Sequence, residues 1–262
     1  MLPKILKFIK WSLVIFTPLA ALIRGTLEYL KDKYDFDFLP EVDLTLAAVA
    51  GALIFLQNFY SIRVTEKNKD NFKNSRSRRV AINSLLVELA DRTGESITLI
   101  GASIFVPKIR RRLWIIGKRK EFLKRIQRER LLNTPQISNV EWAKGKGAIG
   151  QCWETEKEFH LSWINIANRY QDKVTLDNYE SLVNKTAKHG LTAKEFNIVL
   201  DKYSEILAVP IHNENQKFIG VLSVDIAIDR SKQQTGVQLK GDKDVRSIVA
   251  TCAKTVADYI RG

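Results

Sequence analysis

A β-hairpin is predicted by the stretch ILAVPIHNENQKFIGVLSVDI, residues 206–226. Two apolar runs, 206–211 and 218–226, flank a polar loop that contains NENQK. Apolar runs of this length, joined by a few polar residues, are typical of two antiparallel strands. The hairpin therefore predicts the central strands of an antiparallel sheet.

Further elements of the same domain are indicated on both sides of the hairpin. The stretch ITLIGASIF (97–105) predicts a strand, and RRLWII (111–116) predicts its partner across Pro107. The other expected elements are a helix containing Ile82–Leu89, a basic helix at 118–133, extended segments at 137–142 and 159–164, a helix-and-loop region at 175–204 and a C-terminal helix at 245–260. The order of these elements predicts an α+β fold, a mainly antiparallel sheet flanked by helices.

Residues 1–62 predict a transmembrane helical hairpin in front of this domain. The stretch 44–62 has 19 residues without a formal charge. A helix of this length can cross a hydrocarbon core of about 30 Å. A second span is expected at 5–23, where two lysines lie near the interface; a cleaved signal peptide is the alternative for this stretch. The loop between the spans, 24–43, is acidic, and a basic juxtamembrane linker follows at 63–77.

The distribution of charge predicts the orientation of the chain. The net charge is +13, from 42 Lys and Arg against 29 Asp and Glu. Residues 63–79 carry +5 and residues 108–130 carry +9, whereas residues 24–43 carry −3. Basic flanks of membrane spans stay on the cytoplasmic side. We therefore expect a multi-pass protein of the cell inner membrane with the N-terminus and the C-terminal domain in the cytoplasm and 24–43 outside.

Two sequence blocks together resemble the GAF-domain family. The first is the Gly-rich run GKGAIGQCWETEKEFHL (145–161), and the second is the 206–226 hairpin some forty-five residues later. In that family a Gly-rich turn opens a short helix, and a V-P-I…G-V-L-x-x-D hairpin forms the central strands. The resemblance covers about residues 78–262. It implies a GAF-like sensor domain for a small molecule that commonly dimerises through its terminal helices.

No catalytic residues, metal site or cofactor are predicted. Gly145, Gly147 and Gly150 match the spacing of a dinucleotide-binding loop, but that loop needs a parallel βαβ unit, so a turn-forming role is favoured. Cys152 and Cys252 are interpreted as buried packing residues, and the three histidines lack metal-ligand spacing. We expect a protein that is not an enzyme, with catalysis by Cys152 or a histidine as the competing class.

The ligand pocket that the resemblance implies lies between one face of the sheet and the helix-loop segment 165–205. Aromatic side chains there would stack on a planar ligand, and charged ones would supply polarity. Core packing is the alternative for the tryptophans and for the phenylalanine. The candidate ligand-binding residues are Trp153, Phe159, Trp163, Arg169, Tyr170, Tyr179, Lys185 and Asp225.

The basic stretch at 108–130 predicts a surface that contacts an anion. On the predicted helix, Phe122, Leu123 and Ile126 form a small apolar face, so the helix would lie on an anionic inner leaflet. Binding of nucleotide or RNA phosphates by the same bases is the alternative, and a solvated basic face is another. The candidate residues are Arg110, Arg111, Arg112, Lys118, Arg119, Lys120, Lys124, Arg125 and Arg128.

These observations together predict a membrane-anchored sensor of a small molecule such as a nucleotide, whose GAF-like domain controls the assembly or output of its transmembrane helices. One alternative is a membrane-disrupting or pore-forming effector of a nucleotide-messenger defence system. The other is a ligand-free membrane scaffold for a partner protein. The expected partners are inner-leaflet anionic lipid, the small-molecule ligand, further copies of the chain in a homodimer or larger oligomer, and a separate output protein.

Overall fold

The computed structural model describes residues 25, 29, 39–111, 119–132, 134–138, 140–171 and 173–260. Within this part of the chain, five strands form one sheet in which every neighbouring pair is antiparallel, in the order β2-β1-β5-β4-β3. The strands are β1 (Ile100–Arg111), β2 (Arg119–Arg130), β3 (Phe159–Ser162), β4 (Tyr203–His212) and β5 (Phe218–Ala227). The predicted central hairpin is β4-β5, and the α+β fold class is confirmed.

Helices lie on both faces of this sheet. The helices are α1 (Leu39–Thr93), α2 (Gly147–Thr155), α3 (Ile164–Tyr170), α4 (Tyr179–Leu182), α5 (Lys185–Lys188), α6 (Ala193–Leu200), α7 (Gln238–Gly241) and α8 (Lys243–Ala257). An antiparallel sheet flanked by helices fits the fold that the GAF resemblance implies.

The first face of the sheet, which we call the terminal-helix face, is covered by α1 and α8. Side chains of a strand alternate between faces, so every second residue of the central strands points towards these helices. Ile104, Leu207 and Leu222 of the sheet are fully buried there. The helices contribute Ile82, Leu85, Leu86 and Leu89 from α1 and Val245, Val249, Cys252 and Val256 from α8. Burial of a large aliphatic side chain contributes about 1.5–3 kcal/mol, so this layer holds both helices on the sheet.

The second face, which we call the cavity face, is covered by the segment from α2 to α6. Phe105, Leu161 and Val221 of the sheet belong to a separate apolar cluster with the helices of this segment. Helices α2 and α3 both pack against β4. The sheet therefore separates two apolar clusters, one under each helical layer.

The basic segment predicted as a helix is strand β2, which pairs with β1 along its whole length. The helix prediction was wrong because pairing with β1, which local periodicity cannot show, decides the conformation of this segment, and a β-bulge interrupts its alternation. Phe105 pairs with Arg125, but the neighbouring Ile104 pairs with Gln127, so Ile126 is an extra residue. Leu123 packs in the cavity-face cluster and Ile126 packs against the terminal-helix cluster, so the apolar residues taken for one helical face are divided between the two faces of the sheet.

Two other predicted strands differ in the structure. Residues 137–142 form no regular strand among the described residues of this segment, and only Trp142 makes a single bridge, to Leu123. Strand β1 continues through Pro107 to Arg111, so the first residue of the predicted partner strand 111–116 belongs to β1 itself. The strand that pairs with β1 at this edge is β2. Most of the segment predicted as the partner, residues 112–118, lies outside the described residues.

The chain divides into two compact units, Met1–Phe72 and Lys73–Gly262. Helix α1 includes the predicted linker 63–77. Among the helices that the structure describes, none is long and apolar enough to cross a membrane, so the predicted span at 44–62 gains no support from it. The predicted span at 5–23 lies outside the described residues.

Candidate ligand cavity

A small enclosed cavity lies on the cavity face of the sheet, beneath the helical layer. Its volume is about 30 Å³. The floor is formed by residues of four strands: Ser103 and Phe105 of β1, Arg125 and Arg128 of β2, Tyr203 and Ile206 of β4, and Ser223 and Asp225 of β5. Polar and charged groups thus converge at a place where the surrounding core is apolar, which is the arrangement of a small-molecule site.

The roof of the cavity is built around the Gly-rich turn and the start of α2. Gly147 has a positive φ of 57°, and a Cβ atom there would lie 2.8 Å from the Trp142 ring. Gly147 N donates a 2.7 Å hydrogen bond to His189 O. A Cβ on Gly150 would overlap the carbonyl oxygen of Ala143. The glycines therefore allow a left-handed turn and close packing. All the strand pairs described in the sheet beside them are antiparallel, so this part of the chain offers no parallel βαβ unit for a dinucleotide loop.

Aromatic rings form the body of the helical layer above the cavity. Phe196 of α6 is fully buried, and the rings of Trp163, Tyr170 and Tyr179 surround it with centroid distances of 5.7, 6.1 and 5.4 Å. Trp163 Nε1 donates to Leu200 O at 3.2 Å, and the Tyr179 hydroxyl donates to the backbone at 2.6 Å. All three residues therefore hold the layer together through their rings, and Trp163 and Tyr179 also do so through their polar ends.

Asp225 is a buried carboxylate in the cavity wall. Arg130, at the end of β2, forms an ion pair with it and donates a second hydrogen bond to Leu99 O. Burial raises the pKa of Asp225, while the positive charge of Arg130 opposes this shift. Burial also raises the pKa of the neighbouring Tyr203 to about 12, with the charge of Asp225 adding to the shift. Tyr203 is therefore a neutral hydroxyl at physiological pH.

Three further cations lie close to this pair. Arg125 stacks on the Phe105 ring, with its guanidinium carbon 5.0 Å from the ring centroid. Arg128 donates a 2.6 Å hydrogen bond to Pro135 O. Burial lowers the pKa of Lys202, and the charges of Arg128 and Arg125 lower it further. Besides burial, other positive charges near Lys202 lower its pKa, so positive charge accumulates at this side of the cavity.

The predicted ligand-binding residues are distributed over several places. Trp163 and Asp225 line the cavity. Tyr170 and Tyr179 belong to the aromatic layer, and Trp153 is buried in the same cluster. The remaining three do not line the cavity: Phe159 is partly buried, while Arg169 and Lys185 are exposed. A role for any of the eight in ligand binding stays a prediction.

The predicted anion-binding residues separate into two groups. Arg125 and Arg128 line the cavity. Arg110, Lys120 and Lys124 are exposed, and the first two form ion pairs with Glu141. Arg111 and Arg119 lie within strands but their side chains are not described, and Arg112 and Lys118 are outside the described residues. Contact of this basic stretch with lipid stays a prediction.

Sequence reasoning missed four polar residues of the cavity and its wall, as well as apolar lining residues such as Phe105. Ser103 and Ser223 are register partners on β1 and β5, and Tyr203 begins β4. Arg130 holds Asp225. The serines carry one available signal, because each is a polar residue at a cavity-face position of a central strand, and Ser223 lies two residues before Asp225. A buried central strand is otherwise apolar, so a hydroxyl there indicates a polar site.

The cysteines do not belong to this cavity. Burial raises the pKa of Cys152 to about 12 and that of Cys252 to about 11. Both are therefore neutral thiols at physiological pH, which makes them poor nucleophiles. Among the described residues, no group of His, Cys, Asp and Glu side chains could hold a metal ion.

Several solved structures resemble this chain at low sequence identity. A GAF domain is 10% identical, with a TM-score of 0.33, over 72% of this chain and 92% of its own. A GAF domain/HD domain protein from Geobacter sulfurreducens is 13% identical, with a TM-score of 0.39, over 72% and 97%. An IclR-type transcriptional regulator from Alicyclobacillus acidocaldarius is 16% identical, with a TM-score of 0.29, over 70% and 67%. No family model and no curated protein matches the sequence.

Proposed function

We propose that this chain is a regulatory sensor that binds a small molecule in the cavity on the cavity face of its sheet. The supporting observation is the convergence of serine, tyrosine, aspartate and arginine side chains in one enclosed, largely apolar space. The GAF resemblance of the 145–161 and 206–226 blocks agrees with this proposal.

Strand β2 offers a path from the cavity to helix α1. Arg125 and Arg128 of this strand face the cavity, while Gln127 and Glu129 face α1. Gln127 accepts a 3.3 Å hydrogen bond from the Ser75 hydroxyl of α1. A ligand that displaces the cavity side of β2 would therefore change contacts with α1. Binding shifts such an equilibrium only through its differential affinity for the two states.

The small volume of the cavity favours a second candidate, a ligand-free interaction domain. Drug-sized ligands occupy pockets of roughly 300–1,000 Å³. The present volume of about 30 Å³ has room for only about two water molecules. A sensor must therefore accept a small group in the closed state or open its helical layer for a larger ligand. A ligand-free domain would do neither.

Native mass spectrometry of the gently purified full-length chain distinguishes the two candidates. A sensor is expected to retain a small molecule, or to show a thermal shift with at least one member of a metabolite library. Ser103→Val fills the cavity and should abolish the shift. Ser138→Val, which replaces an equally buried serine outside this cavity, should leave it unchanged. If the chain retains no molecule and no metabolite changes its melting temperature, the ligand-free domain is the function that remains.

We also propose that the N-terminal part anchors the sensor in the inner membrane with both termini in the cytoplasm. The support is the uncharged stretch 44–62 between the acidic 24–43 and the basic 63–77. Exposed bases of β1 and β2, such as Lys124, would then face anionic lipid. Topology reporters fused at Lys33 and at Gly262 should report opposite sides. A chain that high salt and alkaline carbonate release from membranes would overturn the proposed anchor.

A further inference from the structure

The bulge at Ile126 places two arginines of β2 on the same face of the sheet. Before the bulge, Leu123 and Arg125 belong to the cavity face; after it, Arg128 and Arg130 do so. In a regular strand, residues 125 and 128 would point to opposite faces. The extra residue therefore assembles an arginine pair inside the cavity, beside the arginine that already pairs with Asp225.

The cavity then holds more positive charge than its acidic groups can balance. Asp225 is the single carboxylate among the described residues that line it, and its side chain is engaged by Arg130. Among the described residues, no carboxylate forms a close ion pair with Arg125 or Arg128; the charge of Asp225 acts on both, but its side chain is bound to Arg130. Buried charges without a partner cost stability, so proteins place them where a ligand or an ion supplies the opposite charge.

Arg125 is the clearest case of this imbalance. Its side chain makes no hydrogen bond with any described residue, and its buried Nε is among the side-chain atoms without a partner. Burial lowers its pKa, as expected for a cation removed from water. Its guanidinium is held in place by the Phe105 ring. A fixed, unpartnered guanidinium presents a fork of N–H donors whose geometry matches an oxyanion.

Two hydroxyl groups complete the same site. Ser103 and Ser223 lie opposite each other on the neighbouring strands β1 and β5, and both line the cavity with Arg125. Neither hydroxyl has a hydrogen-bond partner within the described residues. Serine hydroxyls and arginine forks together form a donor set that is typical of oxyanion binding.

We propose that the cavity binds an oxyanion group, a phosphate or a carboxylate, between Arg125, Arg128, Ser103 and Ser223. This inference rests on the proposed function, because it names the ligand class of the same cavity. The anion supplies the negative charge that Asp225 does not provide. A group of this size suits the closed cavity, whereas the remainder of a larger ligand requires the helical layer to open.

Titration calorimetry and thermal shifts on the full-length chain test this proposal. The probes are inorganic phosphate, a series of phosphomonoesters and a series of carboxylates, each compared with chloride at equal ionic strength. Comparing the affinity for inorganic phosphate with that for the phosphomonoesters shows whether the site prefers a free anion or the anionic group of a metabolite. Arg125→Met should weaken the binding of the anion by about tenfold or more, the loss expected for one charge-assisted hydrogen-bond donor. Ser223→Ala should weaken it by about threefold to tenfold, because it removes one neutral donor.

Arg110→Met is the matched control. Arg110 also projects from a strand and stacks on a phenylalanine, with its guanidinium 4.8 Å from the Phe122 ring centroid, but it lies outside the cavity. This variant should bind the anion as the unmodified chain does. Without any anion, Arg125→Met should have a urea midpoint equal to or above that of the unmodified chain, because it removes an unpaired buried charge.

Three outcomes would overturn the inference. The first is equal anion affinity in Arg125→Met and in the unmodified chain. The second is a loss of affinity in Arg110→Met as large as that in Arg125→Met. The third is selective binding of an uncharged metabolite that Arg125→Met does not weaken, which leaves the sensor function standing. If no probe or metabolite of any charge binds, the inference and the proposed sensor function both fail.

Discussion

At the scale of single residues, Glu205 joins three elements at the terminal-helix face. Its side chain is 0% exposed. Both carboxylate oxygens accept from the backbone N–H of Leu239 in α7, each at 3.1 Å. One of them also lies 2.8 Å from Nε2 of His160 in β3. A carboxylate with this many partners at full burial holds α7 and β3 on β4.

Replacing Glu205 should therefore destabilise the fold without touching the cavity. Glu205→Ala leaves the Leu239 N–H buried without an acceptor, and we expect the free energy of unfolding to fall by about 2–4 kcal/mol. Glu205→Gln keeps one acceptor oxygen and should cost less. Urea denaturation of the three proteins measures the difference. An unchanged midpoint in Glu205→Ala would contradict this role.

At the scale of elements, helix α6 begins with a capping box that also supports the cavity roof. The Thr192 hydroxyl accepts from Glu195 N, and the Glu195 carboxylate accepts from Thr192 N at 3.0 Å. The same carboxylate accepts from Lys146 Nζ at 2.9 Å, which ties α6 to the turn before α2. Burial alone would raise the pKa of Glu195, but the hydrogen bonds from Thr192 and Lys146 outweigh it and lower the pKa.

This lowered pKa predicts a pH-dependent contribution to stability. A carboxylate whose pKa is lower in the folded than in the unfolded state stabilises the fold above its ordinary value of 4.5 and loses that effect as the pH falls through the folded pKa. Glu195→Gln keeps the capping geometry but not the charge. The urea midpoint of the unmodified chain should exceed that of Glu195→Gln at pH 7, and the difference should shrink as the pH falls below 4.5. A constant difference across this range would show that charge is not involved.

At the scale of the whole molecule, an apolar surface on α1 favours self-association. Val80 and Val87 are 60% and 52% exposed, and they lie on the part of α1 that belongs to the sheet domain. The two valines are seven residues apart, about two helical turns, so they share one face of α1, where we expect a partner to cover them. Beside α1 and α8 lies a shallow groove lined by Leu85 and Ile248. The surface fits a second copy of the same helix, as the sequence predicts for the terminal helices.

The fragment 73–262 should therefore be dimeric in sedimentation equilibrium at tens of micromolar. Combined Val80→Asp and Val87→Asp substitutions place charge in the interface and should raise the dissociation constant by at least about tenfold, which is 1.4 kcal/mol. Leu176→Asp changes an equally exposed residue, 64%, in a loop outside the two helices and serves as the control. A monomeric fragment, or an equal effect of the control, would contradict dimerisation through α1.

The sequence by itself determined the elements whose patterns are local. The 206–226 hairpin, the strand within 97–105 and the apolar stripe of the C-terminal helix follow from periodicity, because burial on one side of an element repeats with its backbone period. The Gly-rich turn and the cap at Thr192 follow from residue chemistry. These features were enough to predict an antiparallel sheet flanked by helices.

Only the tertiary structure decided what β2 is and what it does. Seven bases and an apolar trio at helical spacing in 118–133 indicated a helix, whereas pairing with β1 makes residues 119–130 a strand. The trio is divided between the two faces of the sheet, with Leu123 in one apolar cluster and Ile126 against the other. Register is a long-range property, since it depends on which residue of another strand lies opposite. The cavity depends on this register, because Arg125, Ser103 and Ser223 converge only when the strands are aligned in the order β2-β1-β5.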